Sequence, residues 1–559
     1  MQGRFRLSAV IALCLTMSAC GGGGYSGGGN NGGTPTASYT VGGTVNGLVG
    51  TVVLQNNSSA DQITISNNAG AALNFTFGLS IASGGAYNVT VVTQPTNQTC
   101  TVANGTGTIG NAALTNVAVN CGGNAMPPAA VSQISASVQH TCAVLDGGAL
   151  KCWGLNDSGQ LGIGSRVGDI GGRSGEMGTS LRAVDLGSGR IVSQVAPGSV
   201  HTCASSLDGS VKCWGVGGYL GLGDIGRRGI SPGEMGDNLP TVDTGSGLVV
   251  KLVTGQGHTC ALTNEGAVKC WAEGFFGELG TGTKEQRGDQ PGEMGVNLPA
   301  IDLGTGAVAA DISAGNRFTC ARLTSGAVKC WGINSTGQLG ITTTDLQNRG
   351  DDPSEMGDAL PALDLGAGRT ATAVATGGFF ACALLDDSTV KCWGSNSNGQ
   401  LGLGSTTGRL NPSPTVDLGS GLAAVELAAG RQHVCARLNN GGVKCWGANG
   451  SGQLGLGDTE SRGDEAGEMG DNLPQVDLGG RIAMQISAGL GDHTCVLLDD
   501  ATVKCWGDNS FGQLGLGDKI NRGDSPNQMG VNLPIVDVGS GDPEPQIQPS
   551  GTFEPRKRA

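Results

Sequence analysis

The sequence predicts an all-β chain in which a seven-bladed β-propeller is preceded by a small β-sandwich. Three observations lead there. Fourteen of the eighteen cysteines form seven pairs, each ten residues apart: Cys142 with Cys152, Cys203 with Cys213, Cys260 with Cys270, Cys320 with Cys330, Cys382 with Cys392, Cys435 with Cys445, and Cys495 with Cys505. Successive first cysteines stand 61, 57, 60, 62, 53 and 60 residues apart, a repeat long enough for one four-stranded blade. The composition, with 103 glycines in 559 residues, 14% charged and 4% aromatic residues, calls for frequent tight turns and excludes coiled coils and helical bundles. A net charge of −14 argues against a nucleic-acid binder, which needs a basic face to displace counterions. No apolar run approaches the ~20 residues of a membrane-spanning helix.

The chain opens on a segment that reads as an export signal rather than as part of the fold. Arg4 and Arg6 form a positive start, and Leu7 to Met17 is apolar but too short to span a bilayer. Met17-Ser18-Ala19-Cys20 resembles a bacterial lipobox, with Met where Leu is more usual. The resemblance implies cleavage after residue 19 and acylation of Cys20, and Gly21 in place of Asp implies sorting to the outer membrane. Residues 20–37 have the composition of a flexible Gly-rich tether, with an r.m.s. span of roughly 20–25 Å.

Residues 38–122 are rich in Val, Thr, Asn and Gly. GTVVLQ, QITIS, LNFTF, YNVTVVT, CTVANG and TNVAVNC alternate with turn clusters, the pattern of a β-sandwich. Cys100 and Cys121 would tie two of its late strands. The module resembles the small immunoglobulin-like spacers of exported bacterial proteins, which implies a stalk, with an adhesive module as the alternative.

The ten-residue cysteine spacing has a mechanical explanation. In HTCAVLDGGALKCWG the turn signal Asp146-Gly147-Gly148 lies midway between Cys142 and Cys152. A hairpin folded there pairs 144 with 150 and 142 with 152, placing the two Cα atoms ~4.5 Å apart and within disulfide range. Disulfides also suit an exported chain. Zinc is the competing reading, but no CxxC occurs and no second Cys or His stands at ligand spacing.

Aligned on the cysteines, 312–340, 427–458 and 486–518 show one unit, with candidate strands VDLG, ISAG, HTCAL and VKCWG. The first unit, from Val131, has no VDLG before it, and the last runs on to LPIVDVG (533–539). That C-terminal strand is therefore expected to complete the first blade and close a ring over 131–541, leaving 542–559 as a disordered tail. The pattern aG..HTCAL…G.VKCWG.N..GQLG.G resembles the regulator of chromosome condensation repeat, in the cysteine-rich form of exported bacterial proteins. Departures from it are VGGYLGLG in unit 2, Trp271-Ala272 and Glu278 in unit 3, and ITTT in unit 4.

Several residue types invite a functional reading. All seven tryptophans follow the second cysteine of a pair, and a residue repeated in every blade solves a packing problem. His140, His201, His258, His433 and His493 stand two before the first cysteine, where units 4 and 5 carry Phe318 and Phe380. Phenylalanine at the same position argues against catalysis or metal binding, and leaves little from which to build a Ser-His-Asp or Cys-His site. The GQLGLG runs lack the strand–GxGxxG–helix context of a dinucleotide site.

Four Arg-Gly-Asp triplets at one repeat phase lie in long loops that six units carry, at 166–183, 224–241, 283–300, 345–362, 458–475 and 518–535. Loops of this length are often functional. The candidate partner-binding residues are Arg287, Asp289, Glu293, Arg349, Asp351, Glu355, Arg462, Asp464, Glu468, Arg522 and Asp524. Two other readings of these loops remain: calcium ligation, and a self-packed cap with Met235, Met294 or Met469 tucked onto the neighbouring blade.

The expectation for function is a non-enzymatic scaffold, lipid-anchored to the bacterial cell envelope and touching the membrane through that anchor alone. It would act as a monomer, with no cofactor, metal or nucleic acid, and bind a protein or glycan through its loop face. The family resemblance implies two alternatives, nucleotide exchange on a small GTPase and inhibition of an enzyme such as a β-lactamase.

Overall fold

The computed structural model of the chain describes residues 37–122 and 130–539, apart from 49, 59, 68–71, 94, 96–98, 167, 342–345 and 413. The export signal, Cys20, nearly all of the tether and the C-terminal tail lie outside the described residues. The chain divides into two units, 1–124 and 125–559.

The first unit is a β-sandwich of two four-stranded sheets. One sheet orders its strands Leu73–Thr76, Val41–Asn46, Leu114–Gly122 and Thr99–Ala103; the other orders Gln62–Asn67, Gly50–Asn56, Ala86–Thr93 and Thr106–Thr108. Alternating Val41, Val45, Val52, Leu54, Val117 and Val119 are buried between them with Phe75 and Phe77, as period-2 patterning requires. The strands holding Cys100 and Cys121 are antiparallel and place these residues directly opposite, with Cα atoms 3.9 Å apart and a disulfide between them.

The second unit consists of seven three-stranded antiparallel sheets in chain order, from Val131–Ala136, His140–Leu145 and Leu150–Gly154 in blade 1 to Ala483–Ser487, His493–Leu498 and Val503–Gly507 in blade 7. The first strand of every blade lines a central channel. Register follows the hairpin argument, with Cys142 facing Cys152 and Val144 facing Leu150.

Every expected cysteine pair is disulfide-bonded. Blade 1 joins Cys142 to Cys152, blade 2 Cys203 to Cys213, blade 3 Cys260 to Cys270 and blade 4 Cys320 to Cys330. Blades 5 to 7 join Cys382 to Cys392, Cys435 to Cys445 and Cys495 to Cys505. In all seven the Cα atoms are 4.0–4.1 Å apart, because each cysteine stands directly opposite its partner on adjacent antiparallel strands. All fourteen are fully buried.

The VDLG segments are not full strands. Each joins the outer edge of its own blade through one backbone bond, such as Val184 N to Leu150 O at 2.7 Å and Val476 N to Val443 O at 2.8 Å. This overturns the expected closure. Val536 donates to Val503 O of blade 7, so the C-terminal segment completes the last blade and not the first. Each unit is thus a whole blade in sequence order, and the ring closes between whole blades.

Closure uses side chains on exposed strand edges. Blade 1's inner strand donates Ile134 N to Gln485 Oε1 at 3.0 Å and Ala136 N to Ser487 Oγ at 2.9 Å of blade 7. The same device joins Val195 N to Gln133, Leu252 N to Gln194 and Ile486 N to Glu426. A strand edge that lacks a backbone partner is thereby satisfied across the gap between blades. The apolar clusters also cross these gaps: Val131, Leu145 and Trp153 of blade 1 pack with Leu497, Val503 and Val536 of blade 7.

Each short disulfide loop contributes about 2–3 kcal/mol in the chain-entropy model. A Cys320→Ala/Cys330→Ala double variant is therefore expected to lose about that much stability, read by denaturant unfolding at equal slope. An unchanged midpoint would show that strand pairing alone holds the hairpin.

Candidate functional site

The repeated side chains meet at the junctions between blades. The indole N–H of Trp214 donates to the carbonyl of Gln160 in the preceding blade at 3.0 Å, and the Thr202 hydroxyl donates to the same carbonyl at 2.8 Å. Trp153, Trp331, Trp393, Trp446 and Trp506 make the same bond to Gln513, Glu278, Gln338, Gln400 and Gln453. Trp271 breaks the series: its Nε1 is buried without a partner, opposite the shortened turn of blade 2.

The lysine of VKCWG, passed over in the sequence, is a second clasp. Lys212 Nζ donates to Leu186 O of blade 1 at 2.9 Å and to Gly236 O of its own loop at 2.8 Å. Lys329 and Lys444 repeat both bonds, and Lys151 reaches Val538 O of blade 7 at 2.7 Å. Burial lowers the pKa of Lys212, Lys444 and Lys504. Regular recurrence beside CWG was the available signal for this role.

The histidines form a ring of cross-blade pairs. Nε2 of His140, His201, His258, His433 and His493 lies 2.8–2.9 Å from the hydroxyl of Thr202, Thr259, Thr319, Thr494 and Thr141, each on the next blade. Where histidine is replaced the partner changes as well. Phe318 packs in one cluster with Ala381 and Phe380 in one with Val434, so a ring without a polar atom meets a neighbour without a hydroxyl. All five histidines are fully buried. Desolvation pulls their pKa down to about 3 for His140, His258 and His433, and to about 4 for His201 and His493.

The long loops fold back onto the ring. A carboxylate caps each loop's own backbone: Glu293 Oε2 accepts from Gly288, Asp289 and Gln290 N at 2.8–3.2 Å, Glu355 from Gly350 and Asp352, and Glu468 from Gly463 and Glu465. In blade 7, Gln528 Oε1 makes the same bonds, so the position needs an acceptor and not a charge. Met235 and Met529 are buried between blades, and Met177, Met294, Met356 and Met469 pack against the equivalent clusters at other junctions.

In the Arg-Gly-Asp triplets, the arginine backbones of Arg287, Arg349, Arg462 and Arg522 bridge to the end of the third strand. The glycine carbonyls accept from the preceding blade, as Gly288 O does from Gly223 N. Arg462 and Arg522 pair with Asp458 at 2.6 Å and Asp518 at 2.7 Å, Arg287 pairs with Glu285, and Asp351 with Lys284 of blade 3. Burial raises the pKa of Asp464, whose Oδ1 is without a partner, and the Asp524 amide lies under the Gln528 cap. The eleven candidate residues thus occupy equivalent places on separate blades rather than converging on one point. Among the described residues, no group of three or more His, Cys, Asp or Glu could hold a metal ion.

The departures from the repeat do converge. The Tyr219 hydroxyl donates to Glu273 Oε1 at 2.7 Å, Arg317 Nη2 pairs with Glu273 Oε2 at 3.2 Å, and the Arg317 guanidinium lies 5.0 Å over the Phe276 ring. Glu278 stands where five blades have Gln and blade 2 has Tyr219, and it is fully buried; desolvation pushes its pKa up to about 7. Ala272 holds φ +82° where six blades have Gly, a conformation that costs a side-chain-bearing residue about 1–3 kcal/mol. Phe275 beside it is half exposed.

Comparison with known proteins agrees with this geometry. The family model for the RCC1-like domain matches residues 167–543, and that for the regulator of chromosome condensation (RCC1) repeat matches 131–160. The ultraviolet-B receptor UVR8 of Arabidopsis thaliana is 27% identical over 399 residues, 71% of this chain and 81% of the receptor. The human E3 ubiquitin-protein ligase HERC2 is 29% identical over 327 residues, 58% of this chain but 6% of the ligase. The crystal structure of human WBSCR16 superposes with a TM-score of 0.52 at 18% identity, covering 66% of this chain and 86% of that one, a likeness of fold.

Two expectations follow. Buried neutral histidines depress the folded-state pKa, so their contribution is complete above the unfolded value near 6.5 and declines as pH falls toward 3–4, by up to about 1.4 kcal/mol per pH unit for each ring. His201→Phe with Thr259→Val, copying the Phe380–Val434 pair, is expected to fold and to lose one proton's worth of that slope. Thr259→Val alone leaves a buried nitrogen unpaired at a cost of about 1–3 kcal/mol; equal unfolding midpoints for the two variants would refute the pairing. Glu278 has the opposite sign, since a raised carboxyl pKa favours the fold below about 4.5 and weakens it as pH rises through 7. Glu278→Gln should therefore raise Tm at pH 8 and change it little at pH 4.5.

Proposed function

Since the chain belongs to the RCC1-like domain family, we propose that it acts as a non-enzymatic binding scaffold, a rigid propeller held on the bacterial cell envelope by a lipid on Cys20. Its ligand in this reading is a protein or glycan that docks on a face of the ring. The observation that supports the reading is the use made of the repeated polar groups. Wherever they recur, and apart from Trp271, the tryptophan, threonine, lysine and histidine described above bond to the neighbouring blade, and the loop glutamates cap their own backbone. Chemistry aimed at a substrate would require such groups to be presented outward. Fold likeness alone names no ligand.

The long loops enter this proposal as a fixed acidic ridge. Their backbones are tied down, while side chains such as Arg173, Lys284 and Glu285 remain about two-thirds exposed. Exchange-factor and inhibitor activities share the docking step and differ in the partner engaged.

Because these loops tie blade to blade, surface charges and not whole loops are the parts to change. Crosslinked affinity capture from envelope fractions should recover one partner with the mature protein and lose it when Arg173, Lys284 and Glu285 are together replaced by Ala, if the ridge is the site. Recovery by both proteins would move the site to the faces of the ring, and recovery of a GTPase would support exchange-factor activity. In parallel, the mature protein should partition into detergent and carry an acyl mass increment, both lost in Cys20→Ser. A water-soluble wild-type protein without the increment would remove the anchor from the proposal.

A further inference from the structure

The turns between the first and second strands surround the mouth of the central channel, and those of every blade but the second line its concavity. Directly after the shared Gly, or Ser137 in blade 1, the seven blades carry Val138, Ser199, Gln256, Asn316, Gly378, Arg431 and Leu490. Seven different residues occupy one repeat position in a ring whose neighbouring positions repeat Gly, His or Phe, and Cys. The packing between blades holds the latter constant, so the mouth is where the blades are free to differ.

These residues build a concavity. The mouth encloses a volume of about 290 Å³ lined by Val138, Leu490 and Phe379 on one side and by Gln256 and Asn316 on the other, with Arg431 between Phe379 and Leu490 in ring order. Leu490 enters through a turn one residue longer than that of any other blade (ISAGLGDHTC against ISAGNRFTC). The extra residue falls in this turn and outside the disulfide hairpin. Phe379 is 38% exposed. The concavity is at the small end of ligand sites, sized for one side chain and its backbone.

The charges have separate partners. Arg317, beside Asn316, is taken up by Glu273 and by the Phe276 ring. The Arg431 guanidinium is 64% exposed and meets Asp492 at 3.7 Å, longer than a direct hydrogen bond. A cation therefore faces outward at the rim of an apolar hollow, in a chain of net charge −14.

We propose that the channel mouth binds an extended peptide segment in which an apolar side chain stands next to a carboxylate. The apolar side chain fills the space between Val138, Phe379 and Leu490. The carboxylate pairs with Arg431, whose planar fork suits it, and the amides of Gln256 and Asn316 donate to and accept from the peptide backbone. The branched aliphatic wall favours a peptide over a sugar ring, which needs hydroxyl partners all round. Net negative charge opposes long-range steering of an acidic ligand, so the local contact supplies specificity more than association rate. The carboxylate belongs to an Asp or Glu side chain or to a chain terminus. This inference rests on the scaffold reading and names the chemistry of its partner.

The test uses the mature chain and three fluorescein-labelled probes: a hexapeptide with adjacent Glu and Phe and an amidated end, one ending in a free Phe carboxylate, and chitohexaose. Fluorescence anisotropy is expected to register one or both peptides, and the peptide that binds identifies the source of the carboxylate. Arg431→Gln should weaken that peptide at least tenfold, Leu490→Asp should abolish binding, and Leu207→Ala, in the exposed turn between the second and third strands of blade 2, should leave it unchanged. Near-UV circular dichroism and Tm verify that each variant is folded.

Binding that survives both mouth variants, binding of chitohexaose alone, or binding of no probe would each overturn the assignment. Failure of the scaffold reading is separable from that result. If no probe binds but envelope crosslinking still recovers a specific partner, the mouth is wrong and the scaffold stands, whereas loss of both removes the scaffold as well.

Discussion

The ring depends on one repeated contact, in which the indole, hydroxyl and ammonium groups of a blade donate to backbone carbonyls of the blade before it. One blade cannot bury its hydrophobic faces without its neighbours, and the apolar clusters show why. Each draws its residues from two blades, as when Trp446 packs with Cys382, Leu401 and Val416. Dry packing of this kind strands polar backbone between blades unless something answers it. The Gln160 carbonyl, for example, accepts from both Trp214 and Thr202. Blade 7 meets blade 1 through the same groups as any other pair, through Thr141, Lys151 and Trp153, so the seam is built like every other junction.

That arrangement separates two kinds of residue. Those repeated in every blade hold the ring together, and substitutions among them are compensated locally, as Phe380 with Val434 stands in for histidine with threonine. Those that break the repeat carry costs that ring closure does not explain. Ala272 sits in a glycine conformation, Glu278 puts a carboxyl where an amide serves elsewhere, and Trp271 lacks its acceptor. Ser388 and Ala501 also hold positive φ where other blades have Gly, but only blade 3 combines three departures, and violations clustered in this way mark where selection acted on something besides stability. They lie in blade 3, next to residues of the channel mouth: Glu273 N donates to Gly257 O beside Gln256, and Arg317 of blade 4, which pairs with Glu273, adjoins Asn316.

Much of this was legible in the residues. The Asp-Gly-Gly turn midway between Cys142 and Cys152, and its counterparts in the other blades, determined register and disulfide together, because a hairpin is a local object whose pairing follows from its turn. Seven copies gave seven blades, and burial of the tryptophans followed from their recurrence. The loop methionines and glutamates were open to several readings, since a carboxylate in a glycine-rich loop looks the same whether it faces solvent or caps its own backbone. The lysine clasp and the histidine–threonine ring could not be seen. Apart from Lys151 at the seam, the lysine's carbonyl partners lie 24–28 residues away, on segments with no pattern that names them as acceptors. The histidine's hydroxyl partners lie about sixty residues away, or more than 350 in the last pair, separations at which the pairing exists only once the blades are in contact.

The sequence by itself therefore determined everything that one hairpin or one repeat contains: strand pairing, disulfides, blade number, and the division from the sandwich with its own Cys100–Cys121 bridge. Only the tertiary structure decided how blades join. It assigned the C-terminal segment to blade 7, turned the Arg-Gly-Asp loops inward as buckles, and gathered seven unlike residues around one opening. The physical reason is range. Backbone hydrogen bonding between adjacent strands is set by neighbours along the chain, while contacts between blades depend on a rotation accumulated over the whole ring.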